Sequence, residues 1–127
     1  LAQSLPTKDQ EEKIMKLVIA IVRPDKIKDV KDALLEVKVG KVTVSSVIGS
    51  GAQAGRIEDY EGNPTGGELM GRVRFEIAVN DDYVKPTVQA ILKGARTGNI
   101  GDGKIFIVPL DECIRIRTGE MGRMAIG

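Results

Sequence analysis

The sequence contains no histidine and no tryptophan, and a single cysteine, Cys113, among its 127 residues. Without histidine, the commonest general base, the serine–histidine triad and the commonest zinc ligand are all missing, and enzyme classes that depend on them lose most of their support. One thiol excludes a disulfide framework within a chain and favours a reducing, cytoplasmic setting. Cys113 falls on a stretch that reads as a strand, where a buried, inert thiol fits better than a nucleophile. Aromatic residues make up only 3%. The core must therefore rest on Val, Ile, Leu and Ala, and a base-stacking reader of RNA or single strands is disfavoured. Charge of one sign is also lacking: 19 basic and 18 acidic residues leave a net +1, which points neither to nucleic acid nor to a membrane surface. No apolar run reaches the roughly 18 residues of a membrane span, and residues 1–12 show no signal-peptide core.

What remains is an ordinary globular composition, 42% hydrophobic and 29% charged, sized for one domain with a modest core. Residues 1–14 read as an N-terminal extension, a mobile tail or a frayed helix, and residues 15–127 as the domain. Lys16 to Val22 is a short apolar run, expected to be a strand buried on both faces. After Pro24, near a helix start, Ile27, Val30, Ala33, Leu34 and Val37 recur at helical spacing, and Gly40 is expected to stop that helix. Lys41 to Ser50 is rich in β-branched residues and reads as a second strand. Arg72 to Asn80 alternates, with Val73, Phe75, Ile77 and Val79 on one face and Arg72, Arg74 and Glu76 on the other. Asp81 is a candidate helix N-cap for a segment carrying Val84, Val88, Ile91, Leu92 and Ala95, ended by Gly98. Lys104 to Val108 and Cys113 to Arg117 complete the strands. The order β-α-β-long loop-β-α-β predicts an α+β, ferredoxin-like split βαβ (βαββαβ) fold: an antiparallel sheet with two helices on one face. The bare face carries too many Val and Ile to face water, so self-association is expected.

The stretch Ala95-Arg-Thr-Gly-Asn-Ile-Gly-Asp-Gly-Lys-Ile-Phe-Ile-Val-Pro109, followed by Ile114-Arg-Ile-Arg-Thr-Gly119, carries the most chemistry. On a strand, residues i and i+2 share a face, which would make Arg115 and Arg117 a guanidinium edge, near Lys104 if the strands are close. Guanidinium forks suit phosphate oxygens, and glycines let backbone N–H groups approach them. Strand arginines more often form a solvated face, and spacing alone does not choose between the two. Gly98 to Lys104 approaches the P-loop pattern but has Ile105 where Ser or Thr should meet magnesium, and a strand follows rather than a helix. Gly49-Ser-Gly51-Ala-Gln-Ala54 approaches a dinucleotide fingerprint without the helix that should follow. The two glycine clusters with Lys104, Arg115 and Arg117 could instead form one anion cradle. Between them, the glycine-studded segment from Gly49 to Gly71 is long for a small domain, as functional loops are. Its acidic residues Glu58, Asp59, Glu61 and Glu68 do not match an EF-hand and read as a solvated loop.

Taken together, Ile21-Val-Arg-Pro24, Thr43-Val44, Gly49-x-Gly51-x-Gln53-x-Gly55, Asp81-Asp82, Gly101-Asp-Gly-Lys104 and Ile114-Arg-Ile-Arg-Thr-Gly-Glu120 resemble the PII (nitrogen-regulatory P-II) signal-transduction proteins, from about Met15 to Glu120. The resemblance implies a compact homotrimer with adenine-nucleotide sites (ATP or ADP, AMP among the candidates) in the clefts between subunits. Gly101, Asp102, Gly103, Lys104, Arg115 and Arg117 match its phosphate-binding stretch, and Ile21, Thr43, Gly49, Gly51 and Glu76 line the rest of that site. Gln53 matches the side chain that helps hold Mg2+ with nucleotide phosphates, and Gly55 and Arg72 fall with it at the second-effector site. The loop at about 51–71 matches the T-loop that engages a target, a transporter or metabolic enzyme, in nitrogen and carbon metabolism. No catalytic residue, nucleic acid or membrane insertion is implied. The departures are specific. Ala52 replaces a frequent arginine, which should narrow a preference for ATP. Arg72 stands where 2-oxoglutarate binders have lysine, so that ligand does not carry over by resemblance. Thr65 replaces the modified tyrosine, and Tyr60 lies elsewhere. Three other readings stay open: a PII-like sensor of another small anion such as bicarbonate, a slow nucleotide hydrolase using Lys104 and Mg2+, and a structural trimer with a vestigial site.

Overall fold

A computed structural model of the chain describes residues 14–50 and 69–127. The expected extension (to residue 13) and most of the expected T-loop, with Gly51, Ala52, Gln53, Gly55, Tyr60, Thr65 and the loop carboxylates, lie outside the described residues. Four strands, β1 (Met15–Val22), β2 (Thr43–Ser50), β3 (Leu69–Asn80) and β4 (Lys104–Pro109), and two main helices, α1 (Ile27–Glu36) and α2 (Val84–Ala95), make up the fold, with a short C-terminal helix α3 (Arg123–Ile126). The sheet order is β2-β3-β1-β4, and every neighbouring pair is antiparallel. This is the expected split βαβ arrangement.

Alternation explains which face meets the helices. Val18, Ala20 and Val22 of β1 and Val73, Phe75, Ile77 and Val79 of β3 are all buried, and they pack with Val30, Ala33, Leu34, Ala90, Ile91 and Ala95 of the helices into one core. The register places Leu17, Ile19 and Ile21 on the opposite face beside Arg74, Glu76 and Ala78 of β3 and Lys104, Phe106 and Val108 of β4. From Leu17 to Val22, β1 is therefore buried on its helix side and half-buried on the other, a correction to burial on both faces. The helices approach closely at Gly94, where a Cβ would sit 2.7 Å from the Asp29 carbonyl oxygen.

Several element ends differ from the expected ones. α1 stops at Glu36, not at Gly40: Lys38 takes the left-handed conformation (φ 65°). Its N–H bonds the Leu35 carbonyl at 2.9 Å and the Val39 N–H bonds that of Leu34 at 2.9 Å, the Schellman pattern with lysine where glycine is usual. Asp81 is not a cap. A single 3-10 turn, Asp81–Tyr83, leads into α2 without any side-chain cap, while the Asp81 N–H bonds the Ile14 carbonyl. α2 ends at Ala95 rather than Gly98, and Leu92 is 38% exposed, outside the core. Cys113 to Arg117 is not a strand. One isolated bridge, Ile114 to Met121, closes a turn there, because Thr118-Gly119 reverses the chain, Gly119 at φ 76°. Cys113 is half-buried rather than buried.

Lysine in the left-handed region costs roughly 1 kcal/mol that glycine does not pay. Lys38→Gly should therefore raise stability by up to about 1 kcal/mol, read as a higher denaturant midpoint at unchanged slope; a lower midpoint would contradict this account of the helix end.

Candidate functional site

The end of the sheet where β1 finishes and β4 begins is built by the loop 96–103. Its organiser is Asp102. One carboxylate oxygen accepts the Thr97 hydroxyl and the Arg23 Nε–H (3.1 Å), and the other accepts the backbone N–H groups of Thr97 and Gly98, each at 2.8 Å. Arg23 also donates from Nη2 to the Ile100 carbonyl at 2.7 Å. Hydrogen bonds from the Thr97 hydroxyl and N–H, then from Gly98 and Arg23, hold the Asp102 carboxyl well below the usual carboxylate range. Asp102 is thus turned into its own loop. Expected within the phosphate-binding stretch, its carboxylate accepts hydrogen bonds that shape the loop.

Gly103 follows at φ 103°, and a Cβ there would lie 1.7 Å from the Ile21 carbonyl oxygen. Only glycine lets the loop lie flat on β1 and deliver Lys104 opposite Ile21. At Gly101, also at φ 103°, the Nη2 atoms of Arg23 and Arg72 would come within 3.1 and 3.3 Å of a Cβ. The result is a cleft of about 530 Å3 lined by Ile21, Gly49, Arg72, Gly101, Gly103 and Lys104, with Phe106 at its apolar side. Lys104 is exposed, and its ammonium has no hydrogen-bond or ion-pair partner among the described residues. Arg72 donates from Nη1 to the Gly71 carbonyl at 2.8 Å. Two cations and two glycines with positive φ converge on one cleft, the composition that suits a polyanion.

Arg115 and Arg117 do not join them. Arg115 pairs with Glu120 at 2.7 Å and donates from Nη2 to the Met124 carbonyl of α3 at 2.8 Å. α3 lies at the other end of the sheet, where the Asn80 amide reaches the Arg123 carbonyl (3.5 Å) and Arg123 faces Asp82 (3.5 Å). Asn80 is paired with Met15, the first residue of β1, whereas Lys104 is paired with Ile21, near its last. The expected edge near Lys104 is therefore not formed within one chain. Thr43 and Glu76 are cross-strand partners on the bare face, with Glu76 held by Arg74 at 3.2 Å. One chain carries two separated groups of the expected site residues, at opposite ends of a sheet.

The sequence model of the family described as "Nitrogen regulatory protein P-II" matches residues 15–120. The chain belongs to the P-II family. The relatives agree. Nitrogen regulatory protein GlnK1 of Methanosarcina mazei is 46% identical over 114 residues, covering 88% of this chain and 97% of its own. Nitrogen regulatory protein P-II of Nostoc punctiforme is 46% identical over 112 residues, covering 88% and 100%. Among solved structures, the crystal structure of Arabidopsis thaliana PII bound to citrate superposes with a TM-score of 0.73 at 42% identity, covering 88% of this chain and 92% of that one. P-II proteins are regulatory signal-transduction proteins of nitrogen metabolism rather than enzymes. Among the described residues, no helix is long and apolar enough to cross a membrane.

Two side chains that shape these groups carry little local sequence signal of it. Arg23 was visible only as part of Ile21-Val-Arg-Pro24, and nothing local signals a partner 79 residues away. Glu120 closed the last quoted motif without a role, although Arg-x-x-x-x-Glu across Thr-Gly is a spacing that a turn can close.

A lowered carboxylate pKa contributes stability that is present above the unfolded value, ordinarily 3.8, and lost as pH falls below it. Thermal melts between about pH 5 and pH 2 should show this acid-side loss in the wild type, and Asp102→Asn should flatten that part of the profile; parallel profiles would contradict the network. Gly103→Ala, forced against a backbone carbonyl, should cost on the order of 3 kcal/mol in chemical denaturation, and a near-neutral result would contradict the close packing.

Proposed function

We propose that this chain is a homotrimeric nucleotide sensor that binds ATP or ADP between subunits and signals to a target protein through the T-loop at about 51–71. The observation that carries the reading is the separation of the expected site residues. Ile21, Gly49, Arg72, Gly101, Gly103 and Lys104 line a cleft at one end of the sheet, while Arg115 and Arg117 sit on the hairpin at the other. A head-to-tail neighbour would bring the second group onto the first, and a rotation that repeats this contact closes a ring. The bare face supports the same assembly. On it Phe106 and Val108 are 49% and 41% exposed, and on the hairpin Ile116 is 99% exposed, apolar surface that a neighbouring subunit would cover.

In this reading the backbone N–H groups near Gly101 and Gly103 and the Lys104 ammonium take the phosphates. Arg115 and Arg117 of the neighbouring subunit close over them, and Ile21, Thr43 and Glu76 hold the base and sugar side. Magnesium, with Gln53, would complete the phosphate charge; that residue and Gly51 lie outside the described positions, so their part rests on the resemblance. Phosphate binding would fix Gly49 and the loop base, biasing the T-loop between states that differ in affinity for a target. Ala52 in place of an arginine removes a partner for the terminal phosphate and narrows the preference for ATP over ADP or AMP.

A second reading, a sensor of a small carboxylate or bicarbonate, draws on Arg72 and Lys104 sharing one cleft and on the citrate bound to the plant PII structure.

Calorimetric titration with ATP, ADP and AMP, with and without Mg2+, 2-oxoglutarate, citrate and bicarbonate, separates these readings. The nucleotide reading expects binding of ATP and ADP and a loss of tenfold or more on Lys104→Ala, since a charge-assisted hydrogen bond is worth about 1.5–3 kcal/mol. Binding of carboxylates or bicarbonate alone would replace it with the second reading. Light scattering should give three times the 13.7 kDa chain mass; a monomer would overturn the shared site.

A further inference from the structure

We propose that Glu120 is an internal competitor for Arg115, which a nucleotide phosphate must displace, loosening the C-terminal helix α3 as it does so. The inference rests on Arg115 being a phosphate ligand, as read above, and adds a residue that sets affinity and a segment that reports occupancy.

The hairpin places the two side chains together by construction. The Arg115 N–H bonds the Glu120 carbonyl at 2.8 Å and the Gly119 N–H bonds the Arg115 carbonyl at 2.7 Å. Across this turn Arg115 Nη1 donates to Glu120 Oε1 at 2.7 Å, and the Thr118 hydroxyl donates to the same oxygen at 2.9 Å. The pair is half-exposed, 29% for Arg115 and 40% for Glu120, so an arriving anion can reach it. Among the described residues, Arg115 is the one of the three cations assigned to phosphate that has a carboxylate partner. Lys104 and Arg117 are exposed, and their side chains have no partner among the described residues. A carboxylate and a phosphate both at hydrogen-bonding distance from one guanidinium lie close enough to repel each other. Occupation by one weakens the other.

The second link is to α3. Arg115 Nη2 donates to the Met124 carbonyl at 2.8 Å. Among the described residues, the other polar ties of Arg123–Ile126 to the body are longer, 3.5 Å for Asn80 to the Arg123 carbonyl and 3.5 Å for Arg123 to Asp82, while the N-cap Gly122 stays anchored to the Cys113 carbonyl at 2.9 Å. A guanidinium drawn toward a phosphate gives up the shortest of them. Nucleotide occupancy is thereby transmitted to residues 123–127, far from the T-loop in sequence.

The test uses the full-length protein titrated with MgATP. Glu120→Gln keeps the acceptor oxygen for Arg115 and Thr118 and removes the charge, so the hairpin is retained. It should tighten ATP binding by about three- to fivefold, the size expected for a half-exposed pair, and the gain should vanish in an Arg115→Gln background. Hydrogen exchange at the Ala125 amide, bonded to the Gly122 carbonyl at 2.9 Å, should accelerate when ATP is added to the wild type. Unchanged or weaker binding by Glu120→Gln, in a wild-type protein that binds ATP, overturns the competitor role. Unchanged exchange at Ala125 overturns the release of α3. A wild type that binds no ATP fails at the earlier step, the nucleotide reading itself.

Discussion

Both main helices pack on one face of the sheet because only that face carries an unbroken apolar set. Val18, Ala20, Val22, Val73, Phe75, Ile77 and Val79 are each 4% exposed or less, and they are contributed by the two central strands β1 and β3. With one layer of helices there is one core, and a sheet with one core has one face left over. The charged residues of β3 and β4, Arg72, Arg74, Glu76 and Lys104, all fall on that remaining face or at its end. The chemistry of the chain is located where it is because the core claimed the other side.

Positioning at the cleft is done by groups that need not touch a ligand themselves. Asp102 gathers Thr97, Gly98 and Arg23 around one carboxylate. Gly103 brings the loop within backbone contact of β1. Hydrogen bonds to one carboxylate and a close backbone approach fix the course of this loop within the chain itself. The opposite end is arranged differently. There a turn closed by backbone hydrogen bonds holds its arginine between an ion pair and a helix carbonyl.

Element types were legible in the sequence wherever a period ran for several residues. β3 and both helices read correctly from alternation and from the 3.6-residue repeat, since burial on one face is imposed locally, residue by residue. Ends were less legible. Gly40 and Gly98 looked like helix stops, yet α1 is ended by Lys38 at φ 65°. Chain direction at a helix end is set by what the following segment must reach, and a modest strain can be offset by packing elsewhere. The same reason undid the strand at Cys113 to Arg117: its pattern is strand-like, but no neighbouring strand is offered to it beyond a single bridge.

The sequence by itself determined the fold class and the family, because hydrophobic period and the Gly101-Asp-Gly-Lys104 and Ile114-Arg-Ile-Arg117 motifs are local properties of the chain. It also named most of the candidate site residues. Only the tertiary structure decided how they are grouped: Lys104 with Arg72 and the glycines in one cleft, Arg115 with Glu120 at the far end. It also decided that Asp102 shapes a loop through Arg23, across 79 residues of chain. Residue type fixes what a side chain can bind, whereas its partner is fixed by which strands lie side by side, and that order is settled by packing the whole core at once.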